Sequence, residues 1–260
     1  MTYECITYEK KGKVGLITLT RPQSLNSINS KLLEELDAVL ELAAGDPETG
    51  ALAITGSGRF FCSGADLSSF LGASSTMDTY SYLKKAQNTI SRLAGLPMAT
   101  VAAVNGPALG GGFELCLACD FCLASEKASF GLPEINVGLL PGGGGMTRLP
   151  RFIGGHRTRQ LVLSGERLSA GQAADLGLVY RVTPPEGLLE EALQLAASLA
   201  EKPPLGVSFA KEIINRAETM ELPAAMDGEA KAVAVLFASE DCQEGLKAFF
   251  EKRAPVFRGK

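Results

Sequence analysis

The most constraining stretch of this chain is a glycine run set between two apolar segments. The strand-like run Thr100–Val104 leads through Gly106-Pro107-Ala108-Leu109 into Gly110-Gly111-Gly112, and the unbroken apolar segment Phe113–Cys119 follows. A strand that passes through glycine into a helix is the junction of a parallel α/β unit. The first N–H groups of a helix have no partner within it and lie at the positive end of its dipole. Glycine lets a ligand oxygen approach them, so the run suits a developing oxyanion. Tight helix–strand packing is the other use of such glycines, and the run alone leaves both open.

Two further glycine clusters are Gly56–Gly64 and Gly142–Gly145. None of the three is a phosphate loop, because no Gly-Lys-Ser/Thr follows at the required spacing. The dinucleotide fingerprint fails as well. Gly56 and Gly58 begin it, but Phe61 stands where close helix packing needs the third glycine.

Strands are expected at Val14–Thr20, Ala51–Thr55, Thr100–Val104, Phe121–Ala124 and Leu178–Val182, with helices between them. Leu32, Leu33, Leu36, Val39, Leu40 and Ala43 share one helix face, with Asn29 or Ser30 available as N-cap. Met77–Leu93 reads as a weaker amphipathic helix stopped by Gly95 and Pro97. After Pro184-Pro185 the pattern is helical throughout: 187–202, 205–219, 223–238 and 240–252, punctuated by Pro203-Pro204 and Pro223. The expected division is an α/β core over 1–195 and a helical part over 196–260.

A content of 46% hydrophobic and 21% charged residues is that of an ordinary soluble globule. A net charge of −4 argues against a general nucleic-acid binder, which needs a basic surplus to displace counterions. No apolar run reaches the ~18 residues of a membrane span, and no leader pattern stands at the N-terminus. The six cysteines sit in apolar contexts, as expected of reduced core thiols, so a cytoplasmic location is expected. Cys116, Cys119 and Cys122 form C-x-x-C-x-x-C, but they run from an apolar helix into a strand without the loop an iron–sulfur cluster needs. With one histidine, His156, read as a structural or surface residue, no metal site is expected.

Two carboxylates stand in apolar company. Glu114 has Phe113, Leu115, Cys116, Leu117 and Ala118 on every side of its helix, and Glu134 follows Pro133 at a strand exit. Burial raises a carboxyl pKa while a helix N-terminus lowers it. Two such groups can divide acid and base work if their environments separate their pKa values; a cap and a solvated surface residue are the alternative.

The segment Ala103–Asp120, which contains the glycine run and Glu114, resembles the central signature of the enoyl-CoA hydratase/isomerase, or crotonase, family. Arg59–Leu67 resembles that family's first oxyanion loop, Ala128–Ile135 its second catalytic stretch, and Pro141–Leu149 the glycine loop that follows. Arg21–Asn26 is similar to an N-terminal stretch of the family. The resemblance implies an α/β fold, a crotonase-like spiral of ββα units with a helical C-terminal trimerisation region. It also implies a homotrimer or homohexamer, acting on an acyl-CoA thioester with coenzyme A as part of the substrate and no separate cofactor.

By the same resemblance, Ala65 and Gly111 supply the backbone N–H groups of an oxyanion hole, and Glu114 and Glu134 are the catalytic acids of a hydratase. Gly142 helps to position the water. Gln23, Ser24, Leu25, Ala65, Asp66 and Leu67 line the CoA, and Phe249 and Lys252 reach the CoA of a neighbouring subunit. Sibling activities, an enoyl-CoA isomerase or an acyl-CoA hydrolase, are the alternatives, together with an RNA-binding family member that the acidic balance disfavours. The chain departs from the family at Pro107, at Phe113 (bulkier than the residue common there) and at Met146-Thr147. Ser68–Tyr80, which lines the acyl pocket in the family, carries no specificity pattern.

Overall fold

The computed structural model describes residues 3–70, 75–217 and 219–260. The hairpin β1 (Ile6–Lys11) and β2 (Val14–Leu19) leads to α1 (Ser30–Gly45), β3 (Ala51–Gly56), α2 (Thr76–Ala94) and β4 (Ala99–Val104). The junction read from the glycine run follows: β5 (Ala108–Leu109), then α3 (Gly111–Ala118), β6 (Phe121–Ser125) and β7 (Ser129–Gly131). Beyond them come α4 (Gly145–Ser164), β8 (Arg167–Ser169), α5 (Ala170–Asp175) and β9 (Arg181–Thr183). Four helices close the chain: α6 (Leu188–Ala200), α7 (Pro204–Ala217), α8 (Leu222–Phe237) and α9 (Glu240–Glu251).

The main sheet has the order β1-β2-β3-β4-β6-β9, with β1 antiparallel to β2 and every other pair parallel. All residues of β3 and β4 are buried, as a parallel sheet covered on both faces requires. The period of two divides them: Leu52, Ile54, Ala102 and Val104 join the larger core with α1 and α2, while Ala51, Ala53, Val101 and Ala103 face α6. On α6 the contact is made by Ala192, Ala196 and Ala200, one turn apart, and these small side chains bring the helix close to the alanine-rich face of the sheet. The apolar face of α1 is buried as its spacing predicts. Asn29, not Ser30, is its N-cap, accepting the Leu32 N–H at 2.8 Å.

Residue 195 falls inside α6, which packs on the sheet, so the chain leaves the core only after Ala200. The strand expected over Leu178–Val182 is shorter and later: Tyr180 N–H donates to Cys122 O at 2.8 Å, and ladder pairing covers only Arg181–Thr183. The three closing helices bury little. Lys211 of α7 ties them back through Asp120 Oδ2 and Met98 O, each at 2.7 Å, and Asp241 accepts the N–H groups of Arg258 and Gly259. Val233, Val235 and Phe237 of α8 and Phe249 and Phe250 of α9 are all more than half exposed, leaving large apolar side chains uncovered in the single chain. No helix among the described residues is long and apolar enough to cross a membrane.

A second, small sheet positions the site. Its order is β5-β7-β8, with Ala108 and Leu109 paired in parallel to Phe130 and Gly131. β5 runs into α3, which carries Glu114; β7 runs into the 3-10 turn Pro133–Val137, which carries Glu134. Pairing these two strands puts the exits that bear both glutamates side by side.

Candidate active site

Gly110 makes the turn from β5 into α3. Its φ of +51° and ψ of −124° lie outside the range of side-chain-bearing residues, and a Cβ would stand 2.8 Å from Glu134 Oε1. Gly110 N–H is used by Gly131 O at 2.9 Å, whereas Gly111 N–H has no acceptor among the described residues. The segment 62–66 passes close by, held on both sides. Cys62 bridges Ala108 through its N–H to Pro107 O and its carbonyl to Leu109 N–H. Ile28 N–H donates to Gly64 O at 2.8 Å, and Asp66 N–H to Ile28 O at 2.9 Å. This parallel bridge uses the groups on either side of Ala65 and turns the Ala65 N–H away from Ile28, without an acceptor among the described residues.

Behind this segment lies Asn26, fully buried at a φ of +56°. Its Nδ2 donates to the carbonyls of Ser57, Phe60 and Phe61, and its Oδ1 accepts the Arg21 N–H at 2.9 Å. Asp66 accepts from Ser68, Arg21 and Ser27, and these contacts, led by Ser68, lower its pKa.

Ala65, Gly111, Glu114, Glu134 and Gly142 all line one cavity of about 530 Å³, together with Leu67, Leu83, Ala86, Ile90, Val137 and Leu140. Glu114 is buried at 3% exposure, and its Oε1 accepts the N–H groups of Gly143 at 2.8 Å and Gly145 at 2.7 Å. Burial raises its pKa, opposed by those N–H groups and by the charge of Arg148. Glu134 is half-buried, its Oε2 is enclosed without a hydrogen-bond partner among the described residues, and burial, aided by the charge of Glu114, pushes its carboxyl up to about 7. The two acids therefore differ: one is gripped by donors that favour the carboxylate, and the other has an oxygen without one. Such a pair can divide base and acid roles around one reacting molecule.

Of the other expected residues, Leu67 reaches the cavity, while Gln23, Ser24, Leu25 and Asp66 lie outside its lining. Gln23 and Ser24 sit on the 3-10 turn Pro22–Ser24, and Leu25 ends it with a φ of +54°. Phe249 and Lys252 lie at the end of α9, away from the cavity, with Phe249 76% exposed. Phe113 does not narrow the cavity: it is buried in the core against Phe130, with ring centroids 5.4 Å apart. Pro107 lends its carbonyl to Cys62 N–H. Thr79 lines the cavity from the expected acyl-pocket stretch, of which residues 71–74 lie outside the described residues.

Sequence reasoning missed Gly143 and Gly145 as partners of Glu114, and it missed Tyr82, which lines the cavity and donates to Ile28 O at 2.7 Å. The glycine run was visible, but nothing local in sequence shows which carboxylate it meets across 29 to 31 residues. All six cysteines are free; Cys116 lies on α3, Cys119 caps it and Cys122 is on β6. No group of three or more His, Cys, Asp or Glu among the described residues is placed to hold a metal ion. His156 is exposed on α4, within 3.3 Å of Gln160.

The enoyl-CoA hydratase/isomerase family model matches residues 9–260. A probable enoyl-CoA hydratase of Rhizobium meliloti (strain 1021) is 41% identical over 258 residues, covering 99% of each chain. The 2,3-dehydroadipyl-CoA hydratase of Escherichia coli (strain K12) is 41% identical over 252 residues, covering 96% of this chain and 97% of its own. The crystal structure of an enoyl-CoA hydratase from Bacillus anthracis superposes with a TM-score of 0.95 at 37% identity, covering 99% of this chain and 100% of its own. With a sequence match over nearly its whole length and the same arrangement of sheet and helices, this chain belongs to the enoyl-CoA hydratase/isomerase family.

Proposed function

We propose that the chain is an enoyl-CoA hydratase, adding water across the 2,3 double bond of an enoyl-CoA thioester to give a 3-hydroxyacyl-CoA. The observation that carries this reading is the meeting of two differently held carboxylates, Glu114 and Glu134, with two unengaged N–H groups in one largely apolar cavity. The hydratase names of the relatives support it. The thioester oxygen accepts from Ala65 and Gly111 N–H, so charge developing as water attacks C3 is held as an enolate. Each such donor typically lowers the barrier by ~3 kcal/mol.

Glu114, gripped by Gly143 and Gly145, takes the proton from the attacking water. Glu134, whose proton is retained up to about pH 7, delivers one to C2. Water is thereby divided between C3 and C2, and the two carboxyls reset by exchanging one proton. Gly142, at the cavity wall, helps to place that water.

A cavity of about 530 Å³ lies within the usual size of small-molecule sites. The CoA lies along Gln23–Leu25 and Ala65–Leu67 and is part of the substrate, with no separate cofactor. The uncovered apolar side chains of α8 and α9 support a homotrimer or a homohexamer, in which Phe249 and Lys252 reach a neighbour's CoA. The reading includes a cytoplasmic enzyme of fatty acid β-oxidation. The deciding experiment is product mass from crotonyl-CoA and longer enoyl-CoA substrates. The expected product is the 3-hydroxyacyl thioester; a shifted double bond or free CoA as the main product refutes the reading.

A further inference from the structure

We propose that Gln87 is a positioning residue for this reaction: it fixes the Gly142–Gly143 peptide so that the Gly143 N–H, together with that of Gly145, grips Glu114 Oε1. The inference rests on the reading of Glu114 as the base.

Gln87 is half-buried on α2, and Lys84 Nζ donates to its Oε1 at 3.2 Å, which orients the amide. Its Nε2 donates to Gly142 O at 2.8 Å, 55 residues away. In a trans peptide the C=O and the following N–H point in opposite directions. A carbonyl held toward Gln87 therefore turns the Gly143 N–H toward Glu114, where it lies 2.8 Å from Oε1. The next carbonyl, that of Gly143, is held in turn by Arg148 Nη1 at 3.2 Å, while Arg148 Nη2 reaches Ser91 Oγ at 3.2 Å.

The loop cannot supply this orientation itself. Residues 142–145 are all glycine, the residue type with the least resistance to a rotated peptide. A side chain is also excluded at Gly143, where a Cβ would collide with Glu114 Oε2 and stand 2.8 Å from Ile90 Cδ1. The bare backbone needs holding from outside, and Gln87 and Arg148 do so from α2 and α4. With the Gly142–Gly143 peptide released, its carbonyl can turn toward Glu114, replacing a donor by a repelling dipole. Arg148 also acts on Glu114 through its charge, which makes neutral Gln87 the cleaner position to test.

The experiment measures kcat, KM and the pH dependence of kcat/KM with crotonyl-CoA for Gln87→Met, Gln87→His and Glu114→Gln. Gln87→Met, similar in length but without a donor, is expected to lose about tenfold in kcat with KM within about twofold. Its acid limb moves to higher pH, because a carboxylate that loses an N–H donor holds its proton more tightly. Gln87→His, which keeps a side-chain N–H donor at similar reach, restores part of kcat and of the limb at pH values where the ring is neutral. If Gln87→Met does not fold, Gln87→Leu, neutral and without a donor, is expected to show the same loss. A wild-type kcat and pH profile in the donor-less variant, even with a lowered Tm, overturns the proposal while an inactive Glu114→Gln leaves the base reading standing. An active Glu114→Gln overturns the base reading itself, and this inference with it.

Discussion

Replacing Glu134 by Gln should make the protein more stable in alkaline solution while abolishing its chemistry. Burial and the neighbouring Glu114 push the Glu134 carboxyl from an ordinary value of 4.5 up to about 7. At about 1.4 kcal/mol per tenfold in proton affinity, the ionised form costs the fold about 3 kcal/mol. The side chain is only partly enclosed, so solvent screening reduces this to about 2 kcal/mol. The sign follows from linkage: the folded chain binds this proton more tightly than the unfolded one. The contribution is therefore whole below pH 4.5 and is lost as pH rises through about 7. A glutamine side chain cannot ionise, and any cost of its enclosed amide is the same at every pH. The assay is urea unfolding of both proteins at about pH 5 and about pH 8.5, at one protein concentration because assembly adds to apparent stability. The Glu134→Gln variant should gain about 2 kcal/mol on the wild type between the two conditions. An equal difference at both pH values would refute the raised carboxyl, and with it the assignment of Glu134 as proton donor.

Glu114→Gln should leave the fold intact and reduce hydration kcat by roughly 10³, the scale of a lost general base, in steady-state assays with crotonyl-CoA; a loss under tenfold contradicts the role. Gly110→Ala places a methyl 2.8 Å from Glu134 Oε1 at a φ of +51°. It should cost about 1–3 kcal/mol in strain and about a hundredfold in kcat, with an unchanged circular dichroism spectrum. Asn26→Leu leaves the carbonyls of Ser57, Phe60 and Phe61 without their shared donor. That should cost about 3 kcal/mol, read as a lowered urea midpoint, and a midpoint equal to wild type counts against the role of Asn26 in holding the oxyanion segment.

The parts of the fold legible in sequence are those whose residues are buried in a regular period. Leu32 to Ala43 could be placed on one helix face because all six apolar positions enter the core. β3 and β4 were legible because both faces are covered, leaving no polar residue to break the run except threonine. The small sheet was not visible. β5 has two residues and β7 and β8 three each, too few for a period of two to register, yet it is this sheet that brings the glutamates together. The expected division at 195 falls inside α6, which is amphipathic and proline-punctuated like the helices after it. What separates it from them is the alanine row at 192, 196 and 200, read only once the sheet face opposite is known to be alanine as well.

In the site the same contrast has a chemical form. Glu114 and Glu134 stood out because a carboxylate in apolar sequence is anomalous. The run Gly110–Gly112 pointed to N–H donors at a helix start without singling one out, and Ala65 could be reached only through the family resemblance, since a backbone donor has no side chain to mark it. Gln87 carried no signal of either kind. A glutamine on a partly exposed helix is ordinary, and its work is done on a carbonyl 55 residues away. This follows from how the site is built. Its N–H groups, at Ala65, Gly111, Gly143 and Gly145, come from backbone, and three of the four belong to glycines that allow close approach but supply no rigidity. Rigidity must then come from neighbours: Asn26 behind the oxyanion segment, the β5–β7 pairing under Gly110, and Gln87 with Arg148 around the glycine loop. A change in any of these supports should alter catalysis through the direction of an N–H group, without touching a substrate atom.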